Sequence, residues 1–225
     1  MTRLWAWMWP VRAASLVVAT AFWGSHAWAD EANRAALEQA VAVYARGDWA
    51  EAQRRFERLA DEGEPAALHN LAVMHLRGEL PGASADRARA LLERAAGQGF
   101  VTADVALGEL YESDKLGRPD LAQALAWYQR AAEAGSVDAQ VATATAFFMG
   151  RGTAADPAQA AHWYRLAANA GDVGAQYILG SMYEKGDGVA ADLRLARYWY
   201  AAAARQGDEA APAKLKDIDA RMAAQ

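Results

Sequence analysis

Along residues 175–183 the apolar positions Ala175, Leu179 and Tyr183 stand four apart, which gathers them on one face of a helix. Tyr177, Ser181 and Glu184 fall on the opposite side. Gly186 and Gly188 interrupt the run, and Asp192 opens a second helix, because its side chain can accept from the freed N–H groups of the first turn. That second helix carries Ala196, Trp199, Tyr200 and the pair Ala203-Ala204. It ends at Gly207, a residue that tolerates the left-handed backbone of a helix cap. A single helical hairpin of this kind cannot bury its own apolar face.

The same pattern recurs. Gly63, Gly99, Gly135, Gly171 and Gly207 lie 36 residues apart without an insertion. In the same phase run Ala67, Ala103, Ala139, Ala175 and Ala211, then Ala88, Ala124, Ala160 and Ala196. Leu91, Trp127, Trp163 and Trp199 follow, each with a bulky neighbour, Leu92, Tyr128, Tyr164 and Tyr200. The Ala pairs 95–96, 131–132, 167–168 and 203–204 complete the unit. Asp48, Asp120 and Asp156 are placed to cap second helices, with Glu51, Gln123 and Gln159 three residues on and Pro157 at a first helical position. Where units meet, Ala lets helix backbones close up and Trp and Tyr fill the space that remains. Fixed-period repeats of this type stack into a solenoid.

This gives an all-α fold, a right-handed α-α solenoid of tetratricopeptide-like helical hairpins, in four repeats at 64–99, 100–135, 136–171 and 172–207. A leading hairpin occupies 30–63, with the tetratricopeptide-like spacing of Gly47, Ala52, Phe56 and Pro65. Residues 208–225 form a final capping helix whose Lys214, Lys216, Asp217 and Arg221 suit a wet surface.

Residues 1–29 differ in composition from all that follows. Five of the nine Trp lie there, with Arg3 and Arg12 ahead of the apolar run Ala13–Trp23 and small residues in Ala27-Trp28-Ala29. The pattern is that of a secretory signal peptide cleaved between Ala29 and Asp30. An uncleaved anchor is the alternative, but the clean apolar stretch is well short of the ~20 residues a span needs. Without Arg3 and Arg12 the mature chain carries 21 basic and 28 acidic residues, a net charge of −7. That sign disfavours nucleic-acid binding. The expected location is therefore the periplasm or the exterior, with no membrane insertion of the mature chain.

The stretch AQYILGSMYEKGDGVAADLRLARYWYAAAARQGD resembles a Sel-one-like repeat, the 36-residue relative of the tetratricopeptide repeat. Ala175, Leu179, Gly180, Tyr183, Gly186, Gly188, Val189, Asp192, Ala196, Trp199, Ala203, Ala204 and Gly207 match its pattern. Other units depart from it: the loop ESDKLGRPD lacks paired glycines, Thr143 and Phe147 replace Leu and Tyr, and His75 and Leu91 replace Tyr and Trp. The resemblance implies an adaptor or regulator that holds other proteins on the solenoid surface. Exported bacterial members include modulators of envelope signalling and factors in host contact. A cysteine-rich branch is linked to penicillin binding or hydrolysis; this chain has no Cys and lacks that branch's disulfides.

No converged catalytic set is apparent, and neither a cofactor nor a metal is expected. His69 and His75 are six apart, too far round a helix to share a metal where i, i+4 would serve, and His162 simply precedes a repeated Trp. Glu109, Glu112 and Glu184 read as solvated carboxylates, and Gly186-Asp187-Gly188 lacks the Lys-Ser or Lys-Thr of a phosphate loop. The Trp ladder, in phase with the Ala pairs, reads as core rather than as a sugar-binding strip. What remains is the outer, concave face of the first helices, in three columns: His69, Val105, Val141, Tyr177; Val73, Glu109, Thr145, Ser181; and Leu76, Glu112, Phe148, Glu184, extended by Met149. Apolar residues on a face that should be wet mark it as the candidate partner-binding groove, for a protein or peptide. Twist that half-buries these columns is the competing account. Cell-wall or β-lactam hydrolysis and a bracing role in an envelope complex are the alternative functions. N-terminal sequencing of the exported protein is expected to begin at Asp30; a chain that still starts at Met1 makes the leader an anchor.

Overall fold

The computed structural model describes residues 27–224; residues 1–26 of the expected leader lie outside the described residues. Eleven helices appear among them: α1 (Ala27–Ala45), α2 (Trp49–Asp61), α3 (Pro65–Leu76), α4 (Ala85–Gly97), α5 (Val101–Glu112), α6 (Leu121–Glu133), α7 (Val137–Met149), α8 (Pro157–Asn169), α9 (Val173–Lys185), α10 (Leu193–Arg205) and α11 (Ala211–Ala223). There is no strand among the described residues. Helix α1 includes the expected cleavage point. The chain forms two compact units, dividing after Leu110. In the first, α1 packs on α2, α2 on α3 and α3 on α4; in the second, α6 to α11 each pack on the next.

The helix starts follow from short polar side chains. Asp48, Asp120, Asp156 and Asp192 each accept from backbone N–H groups of the first turn, at 2.8–3.2 Å. Ser84 does the same for α4, Ser136 for α7 and Asp172 for α9.

The second helices end in a shared way. At the α6 end, Gly135 (φ 92°) donates its N–H to Ala132 O and Ser136 donates to Ala131 O, both at 3.0 Å. At the α8 end, Gly171 (φ 97°) and Asp172 bond to Ala168 O and Ala167 O. These are the paired bonds of a left-handed helix cap, and the repeated Ala pair supplies its carbonyls. The alanines thus have two duties. Without side chains to speak of they let the next helix approach, and their carbonyls close the cap. A Cβ added at Gly171 would meet nothing within 4 Å, so backbone conformation alone requires glycine there.

The next repeat reaches back to the same carbonyls. Gln140 Nε2 donates to Ala132 O (3.3 Å), and Gln176 Nε2 donates to Ala168 O (3.1 Å). Gln206 in turn donates to Gln176 Oε1 (2.8 Å). Gln140 Oε1 has no partner among the described residues, because Ala170 stands one repeat before Gln206 and offers no amide. Trp163 and Trp199 are buried at 8 % exposure each, Tyr164 and Tyr200 are more fully enclosed, and Trp127 is only half-buried, so the plug is tight in the last two repeats and looser in the one before. Gly188 has a different duty from Gly171. A Cβ there would overlap the carbonyl of Pro157, so the α9–α10 loop lies directly on the start of α8.

Tyrosine hydroxyls on second helices are tied to first helices. Tyr128 donates to Glu112 (3.0 Å) and Tyr200 to Glu184 (2.8 Å). A cation then completes each carboxylate: Arg151 for Glu112, and Lys214 (3.0 Å) with Arg221 (2.9 Å) from α11 for Glu184. Ala211 and Ile218 of α11 pack on Ala196, Tyr200 and Ala203, so this helix closes the apolar end of α10. Burial alone would raise the Glu184 pKa, but the hydrogen bonds from Lys214 and Tyr200 and the contact with Arg221 outweigh it and hold the carboxyl below its ordinary value. Burial, and then the bond to Glu184, push the Tyr200 phenol up.

Two expectations follow. Gly171→Ala should cost about 1–2 kcal/mol for its left-handed backbone, and Gly188→Ala more, because its methyl also meets Pro157; urea unfolding that ranks them the other way contradicts the loop contact. Because the Glu184 pKa is lower folded than unfolded, its contribution is present above the unfolded value and lost as pH falls through the folded one. Glu184→Gln should therefore be less stable than wild type at neutral pH, by about 2 kcal/mol, with the gap closing in acid; a gap independent of pH removes the charge from the account.

Candidate functional site

The columns assigned to the outer face of the first helices are less open than their sequence positions suggest. In the first unit, His69 and Val73 are buried, at 3 % and 1 % exposure, and Leu76, Val105 and Glu109 are half-buried. His69 meets Phe100 edge-on, with ring centroids 5.8 Å apart. Neither His69 nor Val73 can touch a partner as placed. The reason is local: nine consecutive residues of α3, Ala66 to Met74, are buried, so this helix is enclosed nearly all round.

In the second unit the columns divide by chemistry. Thr145 is buried, its hydroxyl donating to Val141 O (2.8 Å) and sharing a hydrogen bond with the Tyr164 hydroxyl (2.9 Å). Glu112 and Glu184 are turned into the tyrosine braces rather than into solvent, and the Glu184 side chain is only 9 % exposed. Tyr177 packs edge-on against Tyr200, with centroids 5.1 Å apart. Val141, Tyr177 and Ser181 are half-buried. Phe148 and Met149 alone among these residues are exposed, at 38 % and 46 %.

Phe148 is explained by the repeat. It stands 36 residues after Glu112 and 36 before Glu184, in the slot that elsewhere in this unit holds the tyrosine-bracing carboxylate. With no carboxylate there, the Tyr164 hydroxyl turns to Thr145 instead, and the phenyl ring stays at the surface beside Met149. The unit therefore presents an apolar end of α7, with Val141 on the same helix and Tyr177 on α9.

Sequence reasoning missed two features. Tyr198 is 57 % exposed on α10, although it sits beside the buried Trp199. The signal was available: its repeat equivalents are Ala126 and His162, so an aromatic at that slot departs from the pattern. The second feature is a cleft over a first helix and between second helices, found in both units. In the first unit it measures about 360 Å³ and lies between α2 and α4. In the second it measures about 240 Å³ and lies between α8 and α10, where Trp199 and Tyr198 form part of the wall.

No group of three or more His, Asp or Glu close enough to hold a metal ion occurs among the described residues. No described helix is long and apolar enough to cross a membrane.

Comparison with known proteins agrees with this architecture. The Sel1 repeat matches four stretches, residues 65–100, 102–136, 137–172 and 173–208, which together cover more than half of the chain. No curated protein matches the sequence. Among solved structures, a protective antigen of uropathogenic Escherichia coli with an SLR fold is 30 % identical, with a TM-score of 0.73 over 83 % of this chain; the chain spans 41 % of that protein's length. A Sel1 repeat protein from Oxalobacter formigenes is 28 % identical, with a TM-score of 0.72, over 80 % of this chain and 74 % of its own. The repeat spacing, the glycine-capped alanine pairs and these matches lead to one conclusion: the chain belongs to the Sel1 repeat family, as a helical-repeat scaffold.

Proposed function

We propose that this scaffold is an exported, non-catalytic adaptor or regulator of the bacterial envelope, which holds an apolar segment of a partner protein on the first-helix face of its second unit. The observation that carries the reading is the exposed Phe148-Met149 pair at the end of α7. In the neighbouring repeats the same position is a carboxylate committed to an internal brace, whereas here it is an apolar ring left 38 % exposed. Val141 on the same helix and Tyr177 on α9 are half-buried apolar residues of the first-helix columns. Exposed apolar residues of this kind are the usual anchors of a binding surface. The envelope location rests on the leader-like pattern of residues 1–29 and on nothing else. The reading calls for neither a cofactor nor a metal.

The test is crosslinking in the native envelope followed by identification of what is captured. Because Phe148 and Met149 are exposed, Phe148→Glu with Met149→Glu should leave the helical circular dichroism spectrum and Tm unchanged while lowering capture of the main partner by about tenfold. Equal recovery of the same partner by the folded double variant would remove this face from the account.

A further inference from the structure

The cleft of the first unit is lined by Leu68, Leu71 and His75 of α3, Glu57 and Asp61 of α2, and Leu91 and Arg94 of α4, with Ala60 and Leu80 completing it. Its shape follows from two departures from the repeat. Leu91 occupies the slot that holds Trp127, Trp163 and Trp199 in the later repeats, and His75 the slot of Tyr111, Phe147 and Tyr183. Two large rings are thus replaced by smaller groups on facing helices of one hairpin. The equivalent cleft of the second unit keeps its indole, Trp199, and is the smaller of the two.

What the first repeat has kept is as informative as what it has lost. Arg94 is the repeat equivalent of Arg130, and Arg130 lies over the Trp127 ring with its guanidinium carbon 5.0 Å from the ring centre. Arg94 thus stands where, one repeat later, Arg130 covers Trp127, and it has no indole beneath it; the two repeats after that carry Leu166 and Ala202 at this position. The aliphatic lining of Leu68, Leu71 and Leu91 suits a ring, and the exposed Glu57 and Asp61 carboxylates stand at its rim. His75 Nδ1 is buried and has no hydrogen-bond partner among the described residues. Burial, and then the neighbouring Arg87, lower the His75 pKa against a smaller opposing effect of Glu57, which favours the neutral imidazole.

We propose that this cleft is a binding site for a tryptophan side chain of a partner peptide, seated where the repeat's own indole is missing, under Arg94, with a basic residue beside it facing Glu57 and Asp61. The site is separate from the α7 surface and does not depend on it.

The probe is an acetylated and amidated Lys-Trp-Lys tripeptide, titrated into the purified chain by calorimetry and by amide chemical shifts, with Lys-Ala-Lys as the comparison. Saturable binding of the tryptophan peptide is expected, with shifts at Leu68, Leu71 and Leu91, and binding of the alanine peptide at least about tenfold weaker. Leu91→Trp restores the plug from within; it should raise Tm and reduce binding of the tryptophan peptide by about tenfold or more. Should that variant not fold, His75→Tyr, which fills the cleft from the facing helix, must show the same loss. Phe148→Glu with Met149→Glu should bind the tripeptide as wild type does, which separates this site from the α7 reading. Equal affinity for the two tripeptides, no saturation, or unchanged affinity in the folded Leu91→Trp and His75→Tyr variants would each overturn the proposal. So would a concentration-dependent dimer that excludes the peptide, since it would assign the cleft to a second copy.

Discussion

The structure depends on one repeated joint, where a second helix ends on an alanine pair and the next first helix begins. Three demands meet there. The backbone must turn sharply, which needs the positive φ of Gly135 or Gly171. The last carbonyls of the helix must be satisfied, which the N–H groups of the glycine and its successor achieve. The following helix must also come close, and alanine leaves it room. Gln140 and Gln176 exploit that closeness by donating to carbonyls that already accept the cap, so neighbouring repeats of the second unit are joined through the helix end itself. A bulkier residue at the pair would push the helices apart and break the glutamine bond with them.

Given that joint, the remaining interactions fill or finish what it leaves. Trp163, Trp199 and the tyrosines occupy the space beside the alanines. The tyrosine hydroxyls need acceptors because they are carried inside, and each finds one on the first helix of its own repeat. The terminal helix α11 does for Tyr200 and Glu184 what a further repeat would do. It covers the apolar end with Ala211 and Ile218, and it supplies Lys214 and Arg221 to a carboxylate that would otherwise sit half-buried without a cation.

A repeat this regular turns departures into information. Phe148, in place of a bracing carboxylate, and Leu91 with His75, in place of two rings, are the positions at which the chain declines to do for itself what its other repeats do. One departure exposes an apolar group and the other enlarges a cleft. Both readings of partner binding arise from these departures rather than from the conserved period of the repeat, which serves packing.

The sequence by itself determined the helices, their caps and their order, because these depend on contacts within a few residues: an Asp before a first turn, a Gly after a last one, and apolar positions four apart. It determined the family for the same reason, since a fixed interval is visible without coordinates. The open face was not determined in this way. A column drawn on a helical wheel assumes one buried side and one wet side, and α3 has no such division: His69 and Val73 lie on its supposed outer face yet are enclosed. Glu112 and Glu184 read as solvated carboxylates in the sequence, yet the tyrosines 16 residues away on the second helices reach them. Exposure and pairing of this sort are set by how one helix lies against its neighbours, and that distance is fixed only in the tertiary structure.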